Sequence, residues 1–295
     1  MTTGLYRSRL VIPINESKYI EKAHQRNADL YVLDMEDSVP LSEKNHARKL
    51  VKESVETMKL NRLIVYIRVN NDKNLYDDLS SVIDSDADGI LIPKVENPEE
   101  ILEIESFLRK QMDKERFSAF KISILIESVK GYMALEEILS CSDKIDTASY
   151  GMEDLTKEIG FQYISENEKY LDYLRLKLIM LCKLHGIQPL GLIGSITNYT
   201  DIEGFKQSAK QAYSIGYEGS SCIHPNQVAV LNDFFKPSEE VLQEMNELVS
   251  VFEDAIRKGR ASTTFQGKMI DYPHYESAKK ILGNFNFSKG SESHE

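Results

Sequence analysis

The chain has 295 residues, of which 41% are hydrophobic and 28% are charged, and this ordinary globular composition supplies enough apolar side chains for a full-sized core. Its 47 acidic residues outnumber 36 lysines and arginines, and the formal net charge of -11 is spread along the chain, so we expect no nucleic-acid partner. No run approaches the roughly 18 apolar residues of a membrane span, and Cys141, Cys182 and Cys222 lie far apart, so we expect a cytoplasmic protein without a membrane partner.

Short apolar runs rich in β-branched residues alternate with longer amphipathic segments, a pattern typical of repeated strand–helix units around a buried parallel sheet. The predicted strands are Leu10–Ile14, Leu30–Met35, Leu63–Val69, Gly89–Val95, Ile122–Ile126, Ile145–Tyr150, Gln188–Ile193 and Gly219–Ile223. Eight strands separated by helices predict an α/β fold, a (β/α)8 TIM barrel that occupies residues 1–236.

Helix signals fall between these strands. Ser42, followed by Glu43 and Lys44, is typical of a helix start, and Asn97 directly before Pro98 is another. The segment Leu171–Leu184 has helical apolar spacing.

The pattern changes after Pro237. We predict a helix from about Ser238 to Lys258 that stops at Gly259, an irregular run from Ala261 to Pro273, and a short helix through Leu282. Residues 237–287 are thus a C-terminal helical extension of the barrel, and residues 288–295 are small and polar enough to be disordered.

Polar residues cluster where the predicted strands end, which is the face of a (β/α)8 barrel that carries the active site. In chain order they are Asp34, Glu36, Asp37, Arg68, Asn70, Lys94, Glu127, Glu153 and Asp154. Carboxylates on adjacent strands are suitable ligands for one Mg²⁺ ion, which keeps its other positions for water and substrate. Glu127 and Asp154 are the natural pair.

Each of these residues also has a structural interpretation, because acids after strands cap helices or form surface ion pairs. Glu127 ends the buried run SILIE, where an unpaired carboxylate is costly, so we favour a functional role. Arg68 ends a buried run as well and needs an anion, which Glu36, Asp37 or a substrate oxygen could provide. The same choice between an ion pair and a substrate contact applies to Lys94.

The segment from Tyr150 to Asp154 consists of a strand end, a glycine turn and an acidic cluster. Main-chain N–H groups at this turn, at Gly151, Met152 and Glu153, are candidate contacts for a substrate carboxylate. His224 precedes Pro225, an extended position in which a histidine more often packs than reacts.

Several sequence blocks in order are similar to the citrate lyase β-subunit and CoA-ester lyase family of the HpcH/HpaI aldolase superfamily. They are RSRLVIP at 7–13, LDMEDSVP at 33–40, YIRVN at 66–70, LIPKVE at 91–96, ILIES at 124–128, YGMEDL at 150–155, CIHPNQV at 222–228 and FQGKMIDYP at 265–273. The blocks span nearly the whole chain.

The resemblance implies a Mg²⁺-dependent barrel, commonly a homotrimer or hexamer, that makes or breaks a carbon–carbon bond between a 2-oxo acid and an acyl thioester. By position in these blocks, Glu127 and Asp154 match the metal ligands, and Arg68 matches the substrate arginine. Glu36 and Asp37 match an acidic pair behind the metal. The remaining matches are Arg7 and Lys94 as substrate contacts and Asp271, in GKMIDYP, as a catalytic acid presented to a neighbouring subunit.

Two departures weaken the assignment of the thioester. Many relatives have a lysine, a plausible CoA contact, where this chain has Ser220, and Gly191–Ser195 lacks the acids usual after the seventh strand. The leading interpretation is a lyase for malyl-CoA or citramalyl-CoA. The alternatives are a citrate lyase β subunit acting on a carrier-bound thioester, a CoA-independent 2-oxo acid enzyme, a phosphoenolpyruvate- or pyruvate-utilising barrel, and a metabolite-binding scaffold.

Overall fold

Eight parallel strands form the central sheet of the computed structural model, which describes residues 5–162, 167–236 and 239–292. The strands are β1 (Ser8–Pro13), β2 (Leu30–Asp34), β3 (Val65–Arg68), β4 (Gly89–Ile92), β5 (Lys121–Ile126), β6 (Ile145–Tyr150), β7 (Gln188–Leu190) and β8 (Ser220–Cys222). All eight predicted strands are confirmed, although β4 and β7 each end three residues earlier than predicted.

The sheet order β7-β6-β5-β4-β3-β2-β1-β8 is that of a barrel in which each strand pairs with its neighbours in sequence. Hydrogen bonds from Gly191 N to Gly219 O at 2.9 Å and from Glu218 N to Pro189 O at 3.1 Å join β7 to β8 and close the ring. Gly219 is required here, because a Cβ atom at this position would lie 2.0 Å from the carbonyl oxygen of Tyr6. The fold is therefore a (β/α)8 barrel, as the sequence predicts.

Helices connect the strands and cover the outside of the sheet. They are α1 (Ser17–Glu21), α2 (Lys44–Lys59), α3 (Leu75–Ile83), α4 (Pro98–Gln111), α5 (Lys114–Ala119), α6 (Val129–Met133), α7 (Leu135–Ser140), α8 (Met152–Glu158), α9 (Asp172–His185), α10 (Ile202–Ile215) and α11 (Pro225–Phe234), with short 3₁₀ segments at Ala23–Gln25, Leu41–Glu43 and Glu168–Leu171. The predicted start of α4 is confirmed, since the Asn97 side chain accepts a hydrogen bond from Glu100 N at 3.1 Å.

Apolar side chains fill the inside of the barrel. Tyr6, Leu30, Val32, Tyr66 and Leu91 form one buried cluster within the ring of strands. Fully burying a side chain of this size contributes roughly 1.5–3 kcal/mol relative to leaving it in water. The interior is thus a packed core, and the polar groups that carry chemistry are confined to the strand ends.

A charged residue on β1 interrupts this core. Arg9 on β1 is fully buried and donates to the hydroxyls of Ser123 at 2.8 Å, Ser149 at 2.9 Å and Ser221 at 2.7 Å. Burial lowers the pKa of Arg9 to about 10, so the guanidinium remains charged at neutral pH. Serines on three other strands therefore satisfy a buried cation of β1.

The chain divides into two compact units, Tyr6–Asp233 and a second unit that contains the residues from Phe234 onward. The sequence predicts the boundary at residue 236. The second unit contains α12 (Glu239–Arg257), β9 (Ser262–Phe265), β10 (Lys268–Asp271) and α13 (Tyr272–Glu292). No described helix is both long enough and apolar enough to cross a membrane.

Two predictions for the second unit need correction. The run Ala261–Pro273, predicted to be irregular, contains an antiparallel hairpin in which Met269 pairs with Thr264. Its strands are short and mostly exposed, so they lack the alternating pattern that predicts a strand. The final helix continues to Glu292, beyond the predicted end at Leu282. Disorder of residues 288–295 stays a prediction, and residues 293–295 lie outside the described part of the chain.

Candidate active site

An acidic turn follows β2 and faces the end of β3. The buried Asp34 carboxylate accepts hydrogen bonds from Arg68, from Nε at 2.6 Å and from Nη2 at 2.7 Å. It also accepts the main-chain N–H groups of Glu36 at 2.8 Å and Ser38 at 3.0 Å, so Asp34 closes the turn from the inside. Burial favours a higher pKa for Asp34, but the hydrogen bonds and charge of Arg68 outweigh it and hold the pKa below its ordinary value.

Arg68 contacts three carboxylates at once. Besides Asp34, its Nη1 lies 3.2 Å from Oε2 of Glu36 and 3.7 Å from Oδ2 of Asp37. The sequence leaves the anion for Arg68 open between Glu36, Asp37 and a substrate oxygen, and it gives Asp34 no role. Asp34 and Arg68 are paired in register on β2 and β3. Because side chains alternate between the two faces of a strand, the pattern of inward-facing positions along these strands was the signal from which this ion pair could have been predicted.

Lys94 connects this turn to the end of β4. Its ammonium donates a hydrogen bond to Oε1 of Glu36 and lies 3.8 Å from Oδ1 of Asp37. The Glu36 carboxylate is buried, and burial raises its pKa against the opposing effects of Lys94 and Arg68. The Lys94 side chain is 51% exposed, so one face of the ammonium is open to solvent or to a substrate anion.

Glu127 is the buried carboxylate at the end of β5, and its side chain is only 7% exposed. Its Oε1 accepts the main-chain N–H of Lys94 at 2.9 Å. Burial raises the pKa of Glu127 to about 7, and the neighbouring carboxylates of Glu36 and Asp154 add to the rise. The surrounding protein thus leaves part of the negative charge of Glu127 uncompensated, which is the condition for binding a cation.

Asp154 lies exposed in the first turn of α8, within electrostatic range of Glu127. In the part of the chain that the structure describes, no group of three or more His, Cys, Asp or Glu side chains forms a metal cluster. A Mg²⁺ ion at this place would therefore take two carboxylates from the protein and its other ligands from water and substrate.

Gly151 permits the close approach of β6 to this carboxylate. A Cβ atom at residue 151 would lie 2.6 Å from Oε2 of Glu127, which no side chain allows. The N–H of Gly151 donates to the carbonyl of Ile126 at 2.9 Å. This N–H is thus already bonded to the main chain, and contact of Gly151 with a substrate carboxylate stays a prediction.

The loop after β7 reaches the start of α8. Ser195 Oγ donates to Oε1 of Glu153 at 2.6 Å and lies 2.8 Å from the hydroxyl of Thr197. The Gly191–Ser195 part of this loop lacks acids of its own, and its Ser195 hydroxyl binds an acid of α8. Contacts of Met152 and Glu153 with substrate stay predictions.

The chain matches the family model described as HpcH/HpaI aldolase/citrate lyase over residues 7–225. The chain belongs to this family. It is 29% identical to the human mitochondrial citramalyl-CoA lyase, over 94% of this chain and 84% of that protein. It is 26% identical to an L-malyl-CoA/beta-methylmalyl-CoA lyase of Cereibacter sphaeroides, over 94% of this chain and 93% of that protein.

A solved structure shares the fold across nearly the whole chain. The protein CitE from Mycobacterium tuberculosis, in complex with magnesium, acetoacetate and coenzyme A, superposes with a TM-score of 0.73, over 97% of this chain and 100% of that chain, at 21% sequence identity. The match supports the barrel assignment for this member of the HpcH/HpaI aldolase/citrate lyase family.

Arg7 is not at the active face of this family member. Its guanidinium forms a bidentate ion pair with Asp29, from Nε at 2.9 Å and from Nη2 at 2.9 Å. Arg7 precedes β1 and Asp29 precedes β2, so both lie at the amino-terminal ends of the strands. The prediction that Arg7 binds substrate is wrong, since the site is at the carboxyl ends.

Ser220 and His224 also have structural roles. Ser220 is buried at the first position of β8, where it pairs with Ser8, away from the carboxyl ends of the strands. The absence of a lysine at this position therefore says little about CoA. His224 stacks on Tyr199 with ring centroids 4.9 Å apart, in agreement with the packing role that the sequence favours.

Asp271, the predicted catalytic acid, ends β10 in the second unit. It is partly exposed, and its Oδ1 contacts Nδ1 of His274 at 2.5 Å, a partner that the sequence does not indicate. The hydrogen bond to His274 holds the pKa of Asp271 below its ordinary value, so Asp271 is a carboxylate at neutral pH. Its action in a neighbouring subunit stays a prediction.

Proposed function

We propose that this chain is a Mg²⁺-dependent carbon–carbon lyase. Its substrate is a 3-hydroxy-3-carboxyacyl thioester such as malyl-CoA or citramalyl-CoA, which it cleaves to a 2-oxo acid and acetyl-CoA, or forms in the reverse direction. The observation that carries the proposal is the buried Glu127 carboxylate, with a pKa raised to about 7, beside Asp154 at the carboxyl ends of the barrel. The two named relatives are lyases of this kind.

Glu127 and Asp154 would hold the metal ion. Their hard carboxylate oxygens suit Mg²⁺, and the uncompensated charge of Glu127 gives the site a reason to bind a cation. The bound ion supplies Lewis acidity that lowers the pKa of the substrate hydroxyl and polarises the emerging 2-oxo group. The chain's own residues perform the remaining tasks.

Arg68 and Lys94 bring positive charge to the substrate side of the site. Arg68 is fixed by Asp34 and cannot move far, so it provides a preorganised charge for a carboxylate or a developing oxyanion. Lys94 is half-exposed, so its ammonium is suited to bind the second oxygen of the substrate carboxylate. In cleavage the hydroxyl gives its proton to solvent, the carbon–carbon bond breaks, and the electron pair passes to the thioester α-carbon, which takes up a proton from an acid of the site.

Asp271 is the candidate for that proton transfer. As a carboxylate at neutral pH it is suited to remove the α-proton of acetyl-CoA in the condensation direction, and in cleavage it first takes up a proton from solvent and then gives it to the α-carbon. His274 orients the carboxylate through their contact at 2.5 Å. We further propose a homotrimer or hexamer in which Asp271 of one subunit acts at the active site of a neighbouring subunit. We also place the enzyme in the cytoplasm.

The first experiment measures release of 2-oxo acid and of free thiol from malyl-CoA, citramalyl-CoA and citryl-CoA, with Mg²⁺, with EDTA, and after Mg²⁺ is restored. We expect Mg²⁺-dependent 2-oxo acid release, which Glu127→Gln abolishes and Glu137→Gln, an exposed acid on α7, leaves within about twofold. Thiol release would identify a hydrolase. No 2-oxo acid from any substrate, with folded protein, would exclude the lyase and favour a CoA-independent enzyme, a carrier-dependent subunit or a binding protein.

A second experiment tests the neighbouring-subunit role of Asp271. Glu127→Gln and Asp271→Asn are prepared separately, unfolded and refolded together in equal amounts, and assayed. If Asp271 acts on the neighbouring subunit, random mixing restores roughly a quarter of the wild-type sites, whereas action within one subunit restores none. A mass measurement by light scattering determines whether the assembly is a trimer or a hexamer.

A further inference from the structure

Lys44 is a buried lysine behind the acidic turn. It is the first residue of α2, and it is only 7% exposed. Its ammonium donates hydrogen bonds to the main-chain carbonyl oxygens of Met35 at 2.7 Å and Glu36 at 2.6 Å. Lys44 therefore binds the main chain of the turn rather than a carboxylate side chain.

The position of Lys44 runs against local preference. The amino-terminal end of a helix carries partial positive charge, which favours acids and disfavours lysine in the first turn. Burying a long lysine side chain also costs rotamer freedom. Sites where a residue breaks a local rule are commonly functional, and the rest of the structure compensates for them. The two carbonyl contacts are the compensation that the structure shows.

A second donor binds the same turn. Asn70, in the loop after β3, donates from Nδ2 to the carbonyl of Met35 at 3.1 Å. The Asp78 carboxylate fixes Asn70 by accepting its main-chain N–H at 2.8 Å and its Nδ2 at 2.6 Å. Arg48 in turn donates to Asp78 at 2.7 Å. The Met35 carbonyl is thus bound from α2 and from the loop after β3.

The main chain that Lys44 binds is continuous with two residues of the site. On one side is Asp34, which binds Arg68, and on the other is Glu36, which binds Arg68 and Lys94. Asp34 closes the turn from the inside, and Lys44 binds it from the outside. A displacement of this main chain by 1 Å would move both carboxylates, and misplacements of that size can reduce rates by about a hundredfold.

We propose that Lys44 is a positioning residue that fixes the acidic turn Asp34–Ser38, and through it Glu36 and Arg68, by binding the carbonyls of Met35 and Glu36. The kinetic part of this inference rests on the proposed lyase function, and the structural part does not. Lys44 touches no substrate in this role. Its removal changes the order of the turn rather than the composition of the site.

The kinetic test compares three variants of α2. Lys44→Met keeps the length of the side chain and removes the ammonium, Lys44→Arg keeps a donor, and Lys52→Met changes an exposed lysine of the same helix. We expect kcat of Lys44→Met to fall by about 10- to 100-fold with KM for the thioester within about threefold, because positioning affects the transition state more than ground-state binding. Lys44→Arg should recover part of the loss, and Lys52→Met should stay within about twofold.

Hydrogen exchange tests the positioning itself and needs no turnover. In Lys44→Met we expect the amides of residues 35–39 to exchange at least about tenfold faster, with strand β5 unchanged. Faster exchange throughout the barrel strands, or an unchanged turn, would overturn the inference, as would a looser turn with unchanged kcat. If the wild type has no lyase activity, the proposed function fails while the exchange result still decides the positioning. If Lys44→Met does not fold, Asn70→Ser removes the other donor to Met35 and should loosen the same turn.

Discussion

The main-chain N–H of Lys94 donates a 2.9 Å hydrogen bond to Glu127 from a left-handed backbone conformation, with φ of 53°. The side chain of the same residue donates to Glu36. One lysine therefore connects the carboxylates that follow β2 and β5. A non-glycine residue in this region of φ stores strain of about 1 kcal/mol or more, which persists only where surrounding contacts impose it.

The strained backbone predicts an unusual order of stabilities. Lys94→Gly and Lys94→Ala both lose the ammonium, but glycine adopts the left-handed conformation without cost, so Lys94→Gly should be more stable than Lys94→Ala by about 0.5–1 kcal/mol. Urea denaturation measures the difference. Lys157, exposed in α8 with ordinary helical geometry, is the control, because there the alanine variant should be the more stable. Equal stabilities at residue 94 would contradict the strain.

Gly151→Ala should disturb metal binding more than stability. The added Cβ atom would lie 2.6 Å from Oε2 of Glu127, so the carboxylate or the turn must shift by several tenths of an ångström. We expect the Mg²⁺ concentration that gives half-maximal activity to rise by about 10- to 100-fold. Gly283→Ala, at a helical glycine with open space around its Cα, is the control and should stay within about twofold. An unchanged Mg²⁺ requirement in Gly151→Ala would place the metal elsewhere.

The sequence predicts the barrel well because its signals are local and repeated. Eight apolar runs, such as Ile122–Ile126, are separated by helical segments, and the capping signal at Asn97 marks a helix start directly. The sequence also predicts Glu127 as a site residue, because an unpaired acid at the end of a buried apolar run is costly. The hairpin at Ser262–Phe265 is not predicted, because its strands are exposed and pair only with each other.

Within the site, the sequence predicts residue types better than partners. It finds Arg68 but not the bond to Asp34, which depends on the register between β2 and β3. It assigns Arg7 to the substrate by resemblance, although Arg7 precedes β1 and binds Asp29 at the other end of the barrel. Lys44 has no functional signal in the sequence, since only the folded turn brings its ammonium to two carbonyls.

Mg²⁺ binding should depend on pH through Glu127. In the metal-free protein its pKa is raised to about 7, so below pH 7 the carboxyl is mainly protonated and the metal must displace that proton. The apparent Mg²⁺ affinity should therefore rise by about tenfold per pH unit up to about pH 7 and level off above it. Calorimetric titration from pH 5.5 to 8.5, in buffers of different ionisation enthalpy, measures the affinity and the released proton. An affinity independent of pH below 7 would contradict the raised pKa.

Asp146 should make the barrel less stable as pH rises. It is buried inside the barrel and accepts a hydrogen bond from the Tyr66 hydroxyl at 2.5 Å, while among the described residues its Oδ1 has no partner. Burial raises the pKa of Asp146 to about 6, from an ordinary value of 3.8, although Tyr66 and the charges of Lys121 and Arg9 oppose the rise. The folded state therefore holds this proton more tightly than the unfolded state does.

This difference in proton binding makes the folded state less stable as pH rises. The stability contributed by protonated Asp146 is fully present below about pH 4 and is lost as pH rises through about 6, and the loss is at most about 3 kcal/mol. Asp146→Asn cannot ionise, so it should be more stable than the wild type at pH 8 by up to that amount and at pH 4.5 by only about 1 kcal/mol. Urea denaturation at both pH values, with exposed Asp143→Asn as the control, measures the difference. If Asp146→Asn and the wild type lose stability in parallel between these pH values, another group is responsible, and Asp146 keeps an ordinary pKa in the fold.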